Sequence, residues 1–435
     1  MRLGISAWLP LCGLALLFGV LALTPCQADG NQLVDPDFEA GLSPWHCVFK
    51  GGAAGVESRD GATHESGDWS ETIKIRKATP GAPENAALSQ AGLSFAANET
   101  VSVSFFAKSS AEHASILCVL KGSTLAQMAI ASRKFALGST WQRYSFDFTP
   151  SKSLPNAEIE FGLGRVAQQV WIDQVYVGNA PEFEDDFNQG SLDTTYWNPF
   201  ITDPSASGWP WSVQAGQPQN SSALDRPNKF DATYDLPSMI ETSAGQGLEL
   251  KAREGTTANG YTWTGSVICS CPDSRFTQTK GFTFQNAYVE VCAKLPAASH
   301  GEWPAIWFLA APGSHGAEID LHEGGYPLGT TDPDRVMACN LHTPGNTQKL
   351  VDAGEGLSGR FHIFGMAYKS GQYVKMYLDG KMVASYTTNV PVGSYYIIIN
   401  DDLASAQTAS WHSQIGSATP TSNHMLIAYV RMTGL

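Results

Sequence analysis

The chain has 435 residues, too many for one typical sandwich domain, so length alone points to two or three domains. Hydrophobic residues make up 43% and can build a core, while charged residues are only 16%, below the roughly 25% of an average globular chain. With 41 acidic residues against 27 basic ones and a formal charge of -14, the chain lacks the positive excess that binds DNA phosphates or an anionic membrane; no nucleic acid and no membrane is expected as a partner, and a neutral polymer fits better.

The chain opens with Met1-Arg2, then an almost wholly apolar run from Leu3 to Leu23, then Thr24-Pro25-Cys26-Gln27-Ala28. This reads as a signal peptide over residues 1–28, cut after about Ala28, which makes the mature protein secreted, extracellular or periplasmic. The run is also long enough to span a bilayer, so an uncleaved anchor is the alternative. Six cysteines remain after it: Cys47, Cys118, Cys269, Cys271, Cys292 and Cys339. An even number in an exported chain makes disulfides a reasonable expectation, with the pairing open. Cys269 and Cys271, two apart, would share a face on a strand.

Helical periodicity is scarce. Alternating runs such as Val101 to Phe106, Tyr144 to Phe148, Tyr288 to Val291 and Tyr373 to Tyr377 are punctuated by Gly, Pro, Asn or Asp, the pattern of sandwiches and barrels. The expected fold is all-β, with two sandwiches. A strand from Val170 to Val177 closes the first, and a boundary falls at Val177 to Pro181, giving domains over 29–179 and 180–435. Pro204 to Ser222 reads as a long surface loop. Asp379-Gly380 between two alternating runs reads as a tight hairpin turn.

Three acids stand in six residues at Glu318-Ile319-Asp320-Leu321-His322-Glu323. On a strand, Glu318 and Asp320 share a face. Glu323 joins them if one residue among Leu321 and His322 is bulged. Two carboxyl groups about 5.5 Å apart are what a retaining glycosidase uses, one as nucleophile and one as acid/base. The backbone would hold Glu318 and Glu323 roughly 13 Å apart, so their side chains must lean together. The plain alternative is a solvated acidic strand, but no Lys or Arg lies between Gly301 and Asp334.

The segment resembles the active-site strand of family 16 of the glycoside hydrolases in its bulged Glu-x-Asp-x-x-Glu form. Phe187-Asn188, Gly247 to Arg253, Tyr288 to Pro296, Gly301-Glu302-Trp303-Pro304-Ala305-Ile306-Trp307-Phe308-Leu309, Phe361-His362 and Tyr429-Val430-Arg431 extend the resemblance over about residues 183 to 435, and the Trp303 segment is close to the laminarinase pattern. It implies a concanavalin-like jelly roll with an open cleft. It also implies Glu318 as nucleophile, Glu323 as general acid/base and Asp320 as the assisting acid, with no cofactor for catalysis. Trp303, Trp307 and His342 fall where the family meets its sugars. His322, where laminarinases carry Met, is a further candidate for the cleft, as are Gly324-Gly325, Tyr368 and Asn400-Asp401-Asp402, which also depart from the family pattern. The implied substrate is a β-1,3- or mixed-linkage β-glucan. A galactan or bacterial exopolysaccharide, or polysaccharide binding without hydrolysis, are the alternatives, and a monomer is expected.

The first half, with Asn31 to Val34, Asp37-Phe38-Glu39, Trp45, Trp141 to Tyr144 and Val170 to Val175, resembles carbohydrate-binding modules of families 4 and 9. The resemblance implies polymer tethering and a structural calcium held by Glu39 and Asp173, whose oxygen donors suit that ion. Trp69 is a candidate sugar contact, whereas Trp45 and Trp141 read as core.

Overall fold

The computed structural model describes residues 31–435 apart from 66–67, 113, 123–129, 200–231, 244–246, 257–260, 273–279, 312–316 and 346. The signal segment and the Pro204 to Ser222 loop lie outside the described residues. Among these residues no helix is long and apolar enough to cross a membrane.

The first unit is a sandwich of two five-stranded antiparallel sheets. One carries His46–Phe49, Ala86–Phe95, Leu154–Gly162, Ser115–Lys121 and Ala131–Ala136 in spatial order. The other carries Ala54–Asp60, Ser70–Lys77, Gln168–Asn179, Val101–Ser109 and Gln142–Phe148. Alternation decides which side chains meet: Val101, Val103 and Phe105 enter the core, with Ile73, Ile159, Phe161, Ile172 and Val175. Trp45 is core as expected.

The second unit is a curled antiparallel sheet folded into two layers, the jelly roll that the family resemblance implied. One layer runs Thr347–Asp352, Val336–Leu341, Ile319–Glu323, Glu302–Ala310, Tyr395–Leu403 and Trp263–Cys269. The path then turns into Gly247–Glu254, Ser422–Gly434, Ala287–Lys294, His362–Lys369, Tyr373–Leu378 and Lys381–Tyr386. The corner is made where Arg253 and Glu254 pair with Thr264 and Trp263. Ile306, Phe308, Ile319, Leu321, Phe364, Ile397 and Val430 fill the space between layers. Asp379 and Gly380 both take positive φ, 48° and 73°, and join Leu378 to Lys381, the tight hairpin their sequence called for.

The disulfide expectation is corrected for four of the six cysteines. Cys47, Cys118, Cys292 and Cys339 carry free thiols. Cys47 and Cys118 lie in the first sandwich with two strands between theirs, whereas Cys339 sits in the jelly-roll core and Cys292 on the opposite side of its sheet. Cys269 and Cys271 do share one face, buried together.

Candidate active site

The strand Ile319–Glu323 lies between Glu302–Ala310 and Val336–Leu341. Trp307 stands opposite Asp320, Ile306 opposite His322 and Ala305 opposite Glu323, so Leu321 is the extra residue of a bulge. Leu321 goes into the core, and Asp320 and Glu323 both end on the outer face of the layer. The bulge therefore does what the spacing of the acids required.

Asp320 is the hub. It is 1% exposed, and its carboxyl lies within hydrogen-bonding reach of both Glu318 and Glu323. His342 Nε2 is 2.9 Å from Asp320 Oδ2 and 3.5 Å from Glu318 Oε1. Glu323 accepts three side-chain donors: Trp303 Nε1 at 3.0 Å, Tyr326 Oη at 3.2 Å and Asn340 Nδ2. Asn340 stands directly across the ladder from Asp320. Burial pushes the Glu318 carboxyl well above the carboxylate range, Asp320 and Glu323 push it further, and His342 pulls it back. Burial and the charge of Glu323 likewise push Asp320 well up. Carboxyls this close disfavour one another's ionised form, which adds to the effect of burial on Glu318 and Asp320.

The structure corrects two expected cleft residues, His322 and Tyr368. His322 points into the core, 1% exposed, its ring 5.2 Å from that of Phe364, because the bulge aligns it with the inward-facing Ile306. Trp307 does lie on the face of the acids, but it is 8% exposed, packed with Ala305, Leu309 and Ile398, and its Nε1 donates to Asn400 Oδ1 at 2.7 Å. It forms the floor of the site rather than an open stacking surface. Trp303 and His342 stand at the acids themselves. Tyr368 is core, its hydroxyl bonded to the carbonyls of Pro391 and Gly393.

Several site residues escaped the sequence reading. Trp411, His412 and Tyr326 form an aromatic cluster with Trp303, with ring centroids 5.0–5.7 Å apart. Trp411 and His412 are some ninety residues from the motif and carried no local signal. Asn340 did carry one: it lies two residues before His342, on the same strand face. The Gly324-Gly325 pair also finds its reason. A Cβ on Gly324 would sit 2.8 Å from Pro304, and one on Gly325 would sit 2.0 Å from the His412 ring.

Among the described residues, Glu318, Asp320 and His342 are the trio of ligand-type side chains whose donor atoms all lie within 4.8 Å of one another. Glu39 and Asp173 each accept backbone amides in the first sandwich. Glu39 Oε1 accepts the amides of Asp68 and Trp69 at 2.7 and 2.9 Å, and Asp173 Oδ2 accepts that of Glu65 at 2.8 Å. Burial pushes the carboxyls of Glu39 and Glu65 up to about 7. Among the described residues, Glu39 and Asp173 belong to no group of three ligand-type side chains whose donor atoms come together, and Glu39 Oε1 and Asp173 Oδ2 are engaged by backbone amides. Trp69 is partly exposed with the Arg59 guanidinium 4.3 Å from its ring centroid.

Residues 30–169, about a third of the chain, match the family described as carbohydrate binding domain. The endo-1,3-1,4-beta-glycanase EglC of Rhizobium meliloti (strain 1021) is 25% identical over 232 residues, 50% of this chain and 45% of that protein. The endo-1,3-1,4-beta-glycanase ExsH of the same organism is 29% identical over 150 residues, 33% of this chain and 28% of that protein. The chain thus spans less than half the length of these curated relatives. Among solved structures, the endo-beta-1,3-glucanase from Pyrococcus furiosus aligns at 22% identity over 58% of this chain and 93% of its own, with a TM-score of 0.44.

Proposed function

We propose that this chain is a secreted, retaining endo-glycosidase that cuts internal linkages of a β-1,3- or mixed-linkage β-glucan, with its binding module over 29–179, its catalytic unit over 180–435, and no partner but the polysaccharide. The observation that carries the reading is Asp320 seated between two glutamates on one bulged strand, with Trp303 bonded to one of them. A proton on Asp320 lets it donate to Glu318, leaving Glu318 as the carboxylate that attacks the anomeric carbon. Glu323 starts the cycle with a proton of its own, gives it to the departing glycosidic oxygen and, then a carboxylate, takes the proton of the incoming water, which restores its starting form. Trp303, bonded to Glu323 through its indole N–H, offers its ring face to the sugar on which that acid acts. The similarity to endo-1,3-1,4-beta-glycanases supports the substrate class.

A second reading rests on the Glu318, Asp320 and His342 trio, whose two carboxylates and imidazole are also a ligand set for a divalent cation. One experiment separates the two. Reducing-sugar release is measured on laminarin, mixed-linkage glucan, agarose and carrageenan with the mature protein, with and without EDTA, beside Glu318→Gln. Release from one β-glucan that survives EDTA and disappears in the variant, with the β-anomer formed first by NMR, supports the reading. Loss of activity in EDTA favours the metal, and tight binding without release from any polymer leaves a binding protein. The first sandwich is proposed to hold calcium through Glu39 and Asp173.

A further inference from the structure

We propose that the first sandwich is clamped rather than tethered: a buried charge clasp centred on Arg431 fixes it to the back of the jelly roll, so that the two units behave as one rigid body with the acid-bearing face turned away from the module. This does not depend on the catalytic reading.

The segment joining the units has no slack. Only residues 180–182 separate the strands Gln168–Asn179 and Phe183–Asp185. The Ala180 amide donates to Thr100 of the module and the Glu182 amide to Met432 of the jelly roll, each at 2.8 Å. Both ends of the connection are therefore pinned.

Arg431, in the strand Ser422–Gly434, is 4% exposed. Its Nε donates to Glu184 Oε2 at 2.9 Å and its Nη1 to Glu290 Oε1 at 3.0 Å, both in the jelly roll. Its Nη2 reaches Ser104 Oγ of the module at 3.1 Å. The module answers with Arg143, whose Nη1 is 2.5 Å from Glu184 Oε1. Two arginines face two glutamates, so the charges balance. Arg431 also lies 4.5 Å from the ring centroid of Tyr176 in the module and 4.9 Å from that of Tyr429 in the jelly roll. Burial alone would raise the Glu184 carboxyl, but Arg431 and Arg143 hold it down at about 2. Beside the clasp, Phe106 of the module packs with Cys292 and Tyr429. Buried charge clusters of this completeness lose several times more when one partner is removed than a surface pair does.

The faces involved fix the arrangement. Val430 and Met432 point into the jelly-roll core, so Arg431 and Tyr429 between and beside them face outward from that layer. Asp320 and Glu323 face outward from the other layer. On the module, Val103 and Phe105 are core, so Ser104 and Phe106 face outward. The docked end of this module sheet is closed to polymer, and any polysaccharide held by the module lies on another of its surfaces.

Differential scanning calorimetry of the mature full chain tests this. The expected result is one transition with matching calorimetric and van't Hoff enthalpies. In Arg431→Met it splits in two, or its midpoint falls by roughly 5–10 °C. If that variant does not fold, Phe106→Ser serves, since Phe106 is a surface residue of the isolated module; it is expected to raise the radius of gyration in X-ray scattering and to expose the 179–183 segment to protease. Two separate transitions in the wild type, or both variants matching the wild type in transition number, midpoint and radius, overturn the proposal.

Discussion

Removing the His342 imidazole tests how the acid trio is poised. Its Nε2 lies 2.9 Å from Asp320 and 3.5 Å from Glu318, and it is the neighbour that pulls the Glu318 carboxyl down against burial and the other acids. In His342→Gln that pull weakens, so Glu318 holds its proton to higher pH and the ionised nucleophile appears later. His342 is hydrogen-bonded to Asp320 and acts on Glu318 through charge, and two opposite charges about 4 Å apart in water attract by about 1 kcal/mol. The His342 side chain is 42% exposed, so the water value applies, which corresponds to somewhat under one pH unit. The assay is kcat/KM on a soluble β-glucan from about pH 4 to about pH 9, because that ratio reports the essential groups of the free enzyme. The acid limb is expected to move up by somewhat under one unit, with most of the activity recovered on its alkaline side. An acid limb that stays in place while activity falls equally at every pH refutes the reasoning and makes His342 a sugar contact instead.

Gly325 takes φ +85°, and a Cβ there meets the His412 ring. Gly325→Ala is expected to cost about 1–3 kcal/mol in chemical denaturation and to reduce activity in protein that is still folded, because His412 packs against Trp303. Glu302 is fully buried and its carboxyl is pushed up to about 10 by burial and then by Asp401. A raised acid binds its proton more tightly in the folded state, so its contribution to stability is full below about pH 4.5 and declines as pH rises toward 10. Glu302→Gln is therefore expected to flatten the alkaline fall of the melting temperature. Chelation with EGTA is expected to lower the melting temperature of the wild type and to leave Glu39→Gln unchanged; equal curves in both would remove the calcium from the module.

What the sequence made legible followed from local rules. Period-2 alternation fixed the all-β class, the Asp379-Gly380 turn needed positive φ, and the spacing of Glu318, Asp320 and Glu323 required one bulged residue. Each is a constraint a few residues long. What stayed hidden was set by tertiary contact. Trp411 and His412 reach Trp303 and Tyr326, which are bonded to Glu323, only because their segment folds over Gly324 and Gly325. Trp307 shares the face of the acids, and only its bond to Asn400 and the packing around it make it floor. Neither could any spacing disclose that Arg143 and Arg431, nearly three hundred residues apart, would share Glu184.

His322 is where local and tertiary logic part. The bulge that turns Glu323 outward carries His322 inward, so the strand buys its acid geometry with a misplaced imidazole. Neither ring nitrogen has a hydrogen-bond partner, and burial drives the pKa down to about 3, with His362 adding to the fall. A group whose folded pKa is depressed from about 6.5 withholds a proton that the unfolded chain takes up below that pH. Its effect is absent above about pH 6.5 and costs stability as the pH falls toward 3, at up to about 1.4 kcal/mol per pH unit. An unbranched apolar side chain of similar length removes both the unpaired polar atoms and the titration. His322→Met is therefore expected to gain on the order of 1 kcal/mol at neutral pH and more near pH 5, in urea unfolding followed by tryptophan fluorescence. Activity at neutral pH should be kept within a few-fold, since His322 does not face the acids. A variant that is less stable at both pH values would mean that the imidazole has a partner in solution, and one that is stable but inactive would place His322 back in the catalytic machinery.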